Sequence, residues 1–314
     1  MSNNVVIVGS AGQDGTLLGN ALHARGDSVI GLCHGDLALD DPAAVASFIA
    51  DNLPDVVYFL AAHHHSSEES IANEGELFDA STRVNFTAAV NFLAAITRHR
   101  PQTRFFYAAS SLIFGAADGA PQDEQTPPRP DTAYGITKLA GMLACRRYRE
   151  AHGLHASTGI LYNHESPLRP PRFLSRKIAL ATARIAREGG GELVLGDLDA
   201  RVDWGYAPDY VEAMTRIVVH DTPGEYVVAT GQTHAVRDFV AIAFAAVDLD
   251  YRDHVRASPE VLRRQLPPRI GNPAKLMATT GWRPSIDFAT MVRRMVEAEL
   301  VAADQHFPAP RTDP

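Results

Sequence analysis

The chain has 314 residues, 46% hydrophobic and 21% charged, with 29 Lys+Arg against 37 Asp+Glu. That composition excludes a disordered chain and is ample for a large α/β core, while a net charge of −8 gives no general electrostatic reason to hold nucleic acid. No apolar run reaches the length of a membrane span, and the first ten residues (MSNNVVIVGS) lack a signal-peptide pattern. Two cysteines, Cys33 and Cys145, are too few for a disulfide framework or a four-thiolate zinc site, so a soluble cytoplasmic protein is expected.

Apolar runs alternate with helical patterns from the start. Residues 5–8 predict a buried strand, and 15–25 a helix with Leu17, Leu18, Ala21 and Leu22 on one stripe. A strand over 28–32, a helix over 42–52 and a strand over 55–62 (DVVYFLAA) follow. Residues 76–97 read as one long helix carrying Val84, Ala88, Phe92 and Ala95; then come a strand over 104–109, a helix over 133–151 and a strand over 155–161. This rhythm predicts a Rossmann-type α/β fold, a doubly wound parallel sheet with helices on both faces.

Beyond about residue 163 helices at 173–188, 208–220, 236–246, 259–265 and 288–303 are separated by short strands such as 192–195 and 225–229. The expected organisation is a dinucleotide-binding domain over 1–163 and a smaller mixed α/β substrate domain over 164–306, some of whose elements return to the first. The Pro-rich residues 307–314 read as a loose tail.

The first strand runs into Gly9, Gly12 and Gly15, spaced G-x-x-G-x-x-G. Glycines there permit a tight turn and close approach of a diphosphate, which the N-terminal amides of the next helix can bind. The acid that usually ends the second strand and binds ribose is missing. Cys33 and His34 stand there, followed by Gly35, Asp36 and Leu37, and no Arg or Lys follows to pair with a 2′-phosphate, which points to NAD rather than NADP.

Tyr134 and Lys138 (YGITK) lie four apart at the start of a helix, so an ammonium can approach a phenol and lower its pKa toward neutrality, as acid/base chemistry on an alcohol requires. Ser110 and Ser111 end the preceding strand, at the sheet edge where such folds bind ligands. His63, His64 and His65 reach the same edge, but consecutive loop residues rarely converge on one ion, so no metal site is assigned.

On these motifs, and on GQDG (12–15), GILYNHESP (159–167), RKI (176–178), LGDLDARVDW (195–204), DYVEAM (209–214) and ATG (229–231), nearly the whole chain resembles the extended short-chain dehydrogenase/reductases of the GDP-mannose 4,6-dehydratase group. The resemblance implies a redox triad of Ser110, Tyr134 and Lys138, with Ser111 beside it, acting at C4 of a GDP-linked sugar. It extends the cofactor site to Gly9, Gly12, Gln13, Asp14, Gly15, His34, Asp36, Leu37, Leu60, Ala61, Ala62, Leu161, Asn163 and His164. It gives the substrate His65, Asn163, Lys177, Leu195, Gly196, Arg201 and Arg269, of which Asn163, Lys177, Arg201 and Arg269 would hold the nucleotide diphosphate. Asn85, inside the long helix, reads either as the family's polar residue near the active site or as a core Asn. A homodimer through helices 76–97 and 133–151 is implied by the same analogy.

Two departures stand out. The dehydratases carry Thr-Ser-Glu after the fourth strand, the Glu removing the C5 proton so that water leaves from C6; here Ser110, Ser111 and Leu112 stand there, and Leu cannot accept a proton. The family's long segment after the second strand, with its 2′-phosphate Arg and partner contacts, is reduced to Cys33 and His34.

Three readings follow. The first is an NAD-dependent oxidoreductase at C4 of a GDP-mannose or GDP-heptose, giving a 4-keto sugar or its epimer. The second is a 4,6-dehydratase in which Glu165 or one of His63–His65 supplies the base. The third is a catalytically silent nucleotide-binding protein, which would usually have lost Tyr134 or Lys138.

Overall fold

Val5, Val6, Ile7 and Val8 are each at most 1% exposed, which a strand achieves only when helices cover both faces of its sheet. The computed structural model describes residues 2–64, 73–115, 119–258, 260 and 268–306. In chain order it shows β1 (Asn4–Val8), α1 (Gln13–Ala24), β2 (Ser28–Leu32), α2 (Pro42–Asn52), β3 (Val56–Phe59), α3 (Glu74–Thr82), a π-helical turn (Arg83–Thr87), α4 (Ala88–His99) and β4 (Arg104–Ser110). Next come α5 (Ala133–His152), β5 (Ala156–Leu161), β6 (Asn163–Glu165), α6 (Leu174–Glu188), β7 (Leu193–Leu195), β8 (Arg201–Val202) and β9 (Trp204–Tyr206). The described residues continue with α7 (Ala207–Val219), β10 (Glu225–Val228), β11 (His234–Ala235), α8 (Val236–Ala245), β12 (Val255–Ala257), α9 (Ala274–Thr280) and α10 (Phe288–His306).

Six strands form one sheet in the order β10-β5-β4-β3-β1-β2, and every pairing in it is parallel. The strand order reverses between β1 and β3, so the crevice at their carboxyl ends is the place where such a sheet takes a ligand. Gly9, with φ +93°, turns the chain there; a Cβ on it would lie 2.8 Å from the Ala61 nitrogen. The turn also needs Gly15, whose Cβ would lie 2.3 Å from the Gly9 carbonyl oxygen.

Two apolar clusters hold the molecule. The first surrounds the sheet and takes in Tyr210, Met214 and Val218 of α7 together with Trp282; the second joins α6, α8 and α10 through Ile178, Phe239, Phe244 and Met295, all fully buried. Arg176 of α6 donates to Glu299 of α10 (3.2 Å) across that second cluster.

The helix expected over 76–97 is interrupted. Its π-helical turn places Asn85, fully buried, where Oδ1 accepts from the His63 N–H (2.8 Å) and Nδ2 donates to the His63 carbonyl (3.2 Å) and Thr137 Oγ1 (3.1 Å). Asn85 therefore ties the loop after β3 to α5. The strand expected over 55–62 stops at Phe59, leaving residues 60–64 as that loop. The helix expected over 259–265 falls almost entirely outside the described residues, as does the 307–314 tail.

Candidate active site

The carboxyl ends of β3, β4 and β5 open into a cavity of about 420 Å³, closed on its far side by β6, α6 and β7–β9. Its wall contains Ser110, Ser111, Leu112, Tyr134 and Lys138. Ser110 ends β4, and its Oγ accepts the Leu112 N–H (3.2 Å), fixing the serine at the rim of the sheet. Tyr134 and Lys138 sit in the first turns of α5, which Thr132 caps by accepting the Gly135 N–H (3.0 Å).

Lys138 is 1% exposed, and its Nζ donates to the Ala108 carbonyl (2.8 Å) while lying 5.7 Å from the centre of the Tyr134 ring. Burial pulls its pKa down to about 7, against a smaller opposing pull from Asp14. Burial likewise pushes Tyr134 up to about 12, although the charge of Arg169 and a hydrogen bond from Ser110 act the other way. This reverses the effect expected from spacing alone: in the protein by itself the phenol is not brought toward neutrality, because desolvation outweighs the neighbouring charges.

Leu112, the residue expected at the family's base position, is half-buried and part of the cavity wall beside Ser111. Glu165 is also in the wall, 2% exposed, but Oε2 accepts from Ser175 Oγ (2.5 Å) and pairs with Arg169 Nε (3.2 Å).

Of the residues expected at the cofactor, Asp14, Leu60, Ala62, Leu161, Asn163 and His164 reach the cavity. Gly9, Gly12, Gln13 and Gly15 build the turn that carries Asp14 there, and Ala61 packs against Gly9. Gln13 acts as an internal tie: its Nε2 donates to the His164 carbonyl (3.1 Å) and its Oε1 accepts from Ser166 (2.8 Å). His34, Asp36 and Leu37 lie on the turn after β2, outside the cavity wall; the Asp36 carboxylate folds back to accept the Cys33 N–H (2.7 Å).

Of the residues expected at the substrate, Asn163, Leu195, Gly196, Arg201 and Arg269 line the cavity. Arg201 donates to the Thr233 carbonyl (2.7 Å) and Arg269 to the Gly115 carbonyl (3.2 Å), which steadies both guanidinium groups. Lys177 lies on α6, outside the wall, and His65 lies outside the described residues.

Sequence reasoning brought His63–His65 to this edge but missed the cluster that His64 forms beside Tyr134. The His64 ring meets the Tyr134 ring edge-on at 4.7 Å and the Phe173 ring at 5.4 Å, and Arg169 lies 3.8 Å over Phe173. The available signal was the spacing of Glu165 and Arg169, four apart in a Pro-bounded run. Among the described residues no group of His, Cys, Asp and Glu is arranged to hold a metal, and no helix is long and apolar enough to cross a membrane.

The family model for GDP-mannose 4,6 dehydratase matches residues 32–295. GDP-mannose 4,6 dehydratase 1 of Arabidopsis thaliana is 35% identical over 286 residues, covering 90% of this chain and 77% of its own length. The GDP-mannose 4,6-dehydratase of Sinorhizobium fredii is 40% identical over 218 residues, 68% of this chain and 59% of its own. Among solved structures, RMD from Pseudomonas aeruginosa complexed with NADPH has a TM-score of 0.82 at 22% identity, covering 95% of this chain and 99% of that one. The Thermus thermophilus UDP-glucose 4-epimerase complex with NAD has a TM-score of 0.79 at 23% identity, covering 94% and 98%. The last two likenesses concern the fold alone; the family match and the Arabidopsis relative go further. This chain belongs to the GDP-mannose 4,6-dehydratase family.

Proposed function

We propose that the chain is an NAD-dependent oxidoreductase acting at C4 of a GDP-linked sugar of the mannose or heptose type. It yields a 4-keto sugar, or the C4 epimer after reduction from the other face, without loss of water. The observation that carries this reading is the pairing of Tyr134 and Lys138 with Leu112 in one cavity: the groups for hydride chemistry at an alcohol are present, and the base position holds a hydrocarbon.

The residues fit a dinucleotide. Gly9 and Gly15 leave no room for side chains at the β1–α1 turn, and the Gly12 N-cap offers no side-chain cap to the amides of α1, so the helix end suits a diphosphate. The turn after β2 carries Asp36 and no cation before α2, which disfavours a 2′-phosphate.

Oxidised nicotinamide, when bound, would supply the hydride acceptor and a positive charge. Tyr134 takes the C4 hydroxyl proton only as the phenolate, its own proton first relayed toward the neutral amine of Lys138, while Ser110 orients the hydroxyl and donates to the phenolate oxygen. Lys138, poised near pH 7, is the neighbour able to exchange a proton at neutral pH. Arg201, Arg269 and Asn163 receive the nucleotide diphosphate.

Glu165 keeps a second reading open, a dehydratase with a displaced base, because its buried carboxylate is part of the same wall. Against it, Ser175 and Arg169 already engage that carboxylate. The test is single-turnover formation of reduced nicotinamide from NAD and GDP-mannose or a GDP-heptose. The wild type gives a burst and Tyr134→Phe does not; a burst of equal size in Tyr134→Phe refutes the assigned role.

The same reading includes a homodimer. Ile136 and Leu143, two turns apart on α5, are 40% and 45% exposed, and Phe78 of α3 is 39% exposed, an apolar surface on the two helices that suits a two-fold partner. Leu143→Arg is expected to give monomers in sedimentation; an unchanged mass excludes this face.

A further inference from the structure

His164 has two ring nitrogens, and both face oxygen atoms that only accept: a backbone carbonyl and the Asp14 carboxylate, whose pKa its surroundings hold below the ordinary value. Nδ1 lies 2.7 Å from the Tyr162 carbonyl, and Nε2 lies 2.9 and 3.0 Å from the two oxygens of Asp14. A neutral imidazole carries one N–H and would leave one of these short contacts without a proton. Both contacts are satisfied together only by the imidazolium.

Asp14, for its part, stands in the first turn of α1, the helix end proposed above to receive a diphosphate. A bare carboxylate there would occupy the positive end of the helix dipole and repel the incoming anion. We propose that His164 is a positioning residue for cofactor binding: its imidazolium cancels the Asp14 charge and leaves the end of α1 able to accept a dinucleotide diphosphate. This rests on the dinucleotide reading.

The surroundings of His164 serve that purpose. Its ring stacks on Tyr210 of α7 at 4.5 Å, its carbonyl accepts from Gln13, and its strand pairs with β9 at Gly205. The charged and titratable groups facing the pair are Arg169, Lys138, Tyr134, Tyr162 and Tyr210. Burial pulls the His164 pKa down, yet the charge of Asp14 and its hydrogen bond prevail and hold it above the ordinary value. For Asp14 burial pushes up, and the charge and hydrogen bond of His164 bring the net direction below the ordinary value. Both directions favour the ion pair that the hydrogen-bond geometry calls for, and dinucleotide binding weakens as pH rises past the His164 pKa.

The experiment measures dissociation constants for NAD, ADP and adenosine by calorimetry on the wild type, His164→Gln, Asp14→Asn and the double variant. His164→Gln is expected to weaken NAD and ADP on the order of tenfold to a hundredfold while sparing adenosine. Asp14→Asn added to it restores NAD and ADP to within about threefold of the wild type. Equal loss of adenosine and ADP, or no recovery in the double variant, overturns the proposal. A wild type that binds no NAD instead refutes the dinucleotide reading beneath it. Because His164→Gln can fail to fold, nitrogen-15 spectra of the wild-type imidazole supply a second readout: two protonated ring nitrogens at pH 7 are expected, and one protonated with one bare overturns the proposal.

Discussion

Replacing Lys138 with Met should make the apoprotein more stable while abolishing its redox activity. The side chain is 1% exposed, and burial lowers its pKa from the ordinary 10.5 to about 7. At about 1.4 kcal/mol for each pH unit, the ammonium form is disfavoured in the folded protein by roughly 5 kcal/mol. Met fills nearly the same volume without charge, but loses the hydrogen bond to the Ala108 carbonyl, about 1–2 kcal/mol. The net expectation below pH 7 is a gain of roughly 3 kcal/mol. The sign changes with pH in a defined way. A lysine with a lowered folded pKa binds fewer protons when folded than when unfolded between about 7 and 10.5, so wild-type stability rises across that window. The advantage of Lys138→Met is therefore full below pH 7 and gone, or reversed, by pH 10.5. Urea unfolding at pH 6, 8 and 10 without cofactor measures it. A variant no more stable than the wild type at pH 6, or a difference that ignores pH, would refute the desolvation argument.

Leu112→Glu restores a proton acceptor at the family's base position and should raise dehydration of GDP-mannose about 10²–10⁴-fold over the wild type, read from product mass; no change would mean that position does not face C5. Gly15→Ala forces a Cβ to 2.3 Å from the Gly9 carbonyl and 2.6 Å from the Ser10 Cα, both backbone, and should cost about 1–3 kcal/mol in denaturant unfolding together with a clear loss of NAD affinity. Asn85→Ala removes three hydrogen bonds that join the loop after β3 to α5 and should cost about 2–4 kcal/mol. Its activity should fall even at low temperature, where the fold persists, if the loop positions His64; unaltered kinetics would separate that loop from the reaction.

The sequence displayed the sheet because its strands are buried on both faces and so form apolar runs, as at Val5–Val8 and Val56–Phe59. It displayed Ser110, Tyr134 and Lys138 because a strand end and a helix start are recognisable in a chain of alternating elements. The π-helical turn was hidden, since one extra residue barely shifts an apolar stripe; only the tertiary partners of Asn85 reveal it. The two- and three-residue strands β6, β8, β9, β11 and β12 are too short to show a period, and α9 has only seven residues. The packing of His64 against Tyr134 and Phe173, and the part of Arg169 in it, escaped notice because these residues come from irregular segments that meet only in the folded chain. Spacing put Lys138 within reach of Tyr134 but said nothing of burial, and burial decides the direction in which both groups shift.

The central claim is that this site oxidises C4 and stops short of elimination. Mass spectrometry of GDP-mannose after incubation with the protein and NAD, repeated with a GDP-heptose, tests it most directly. Loss of two hydrogens from one of these nucleotide sugars, matched by reduced nicotinamide, is the predicted result. Loss of one water would contradict the account and require a base that Leu112 cannot provide.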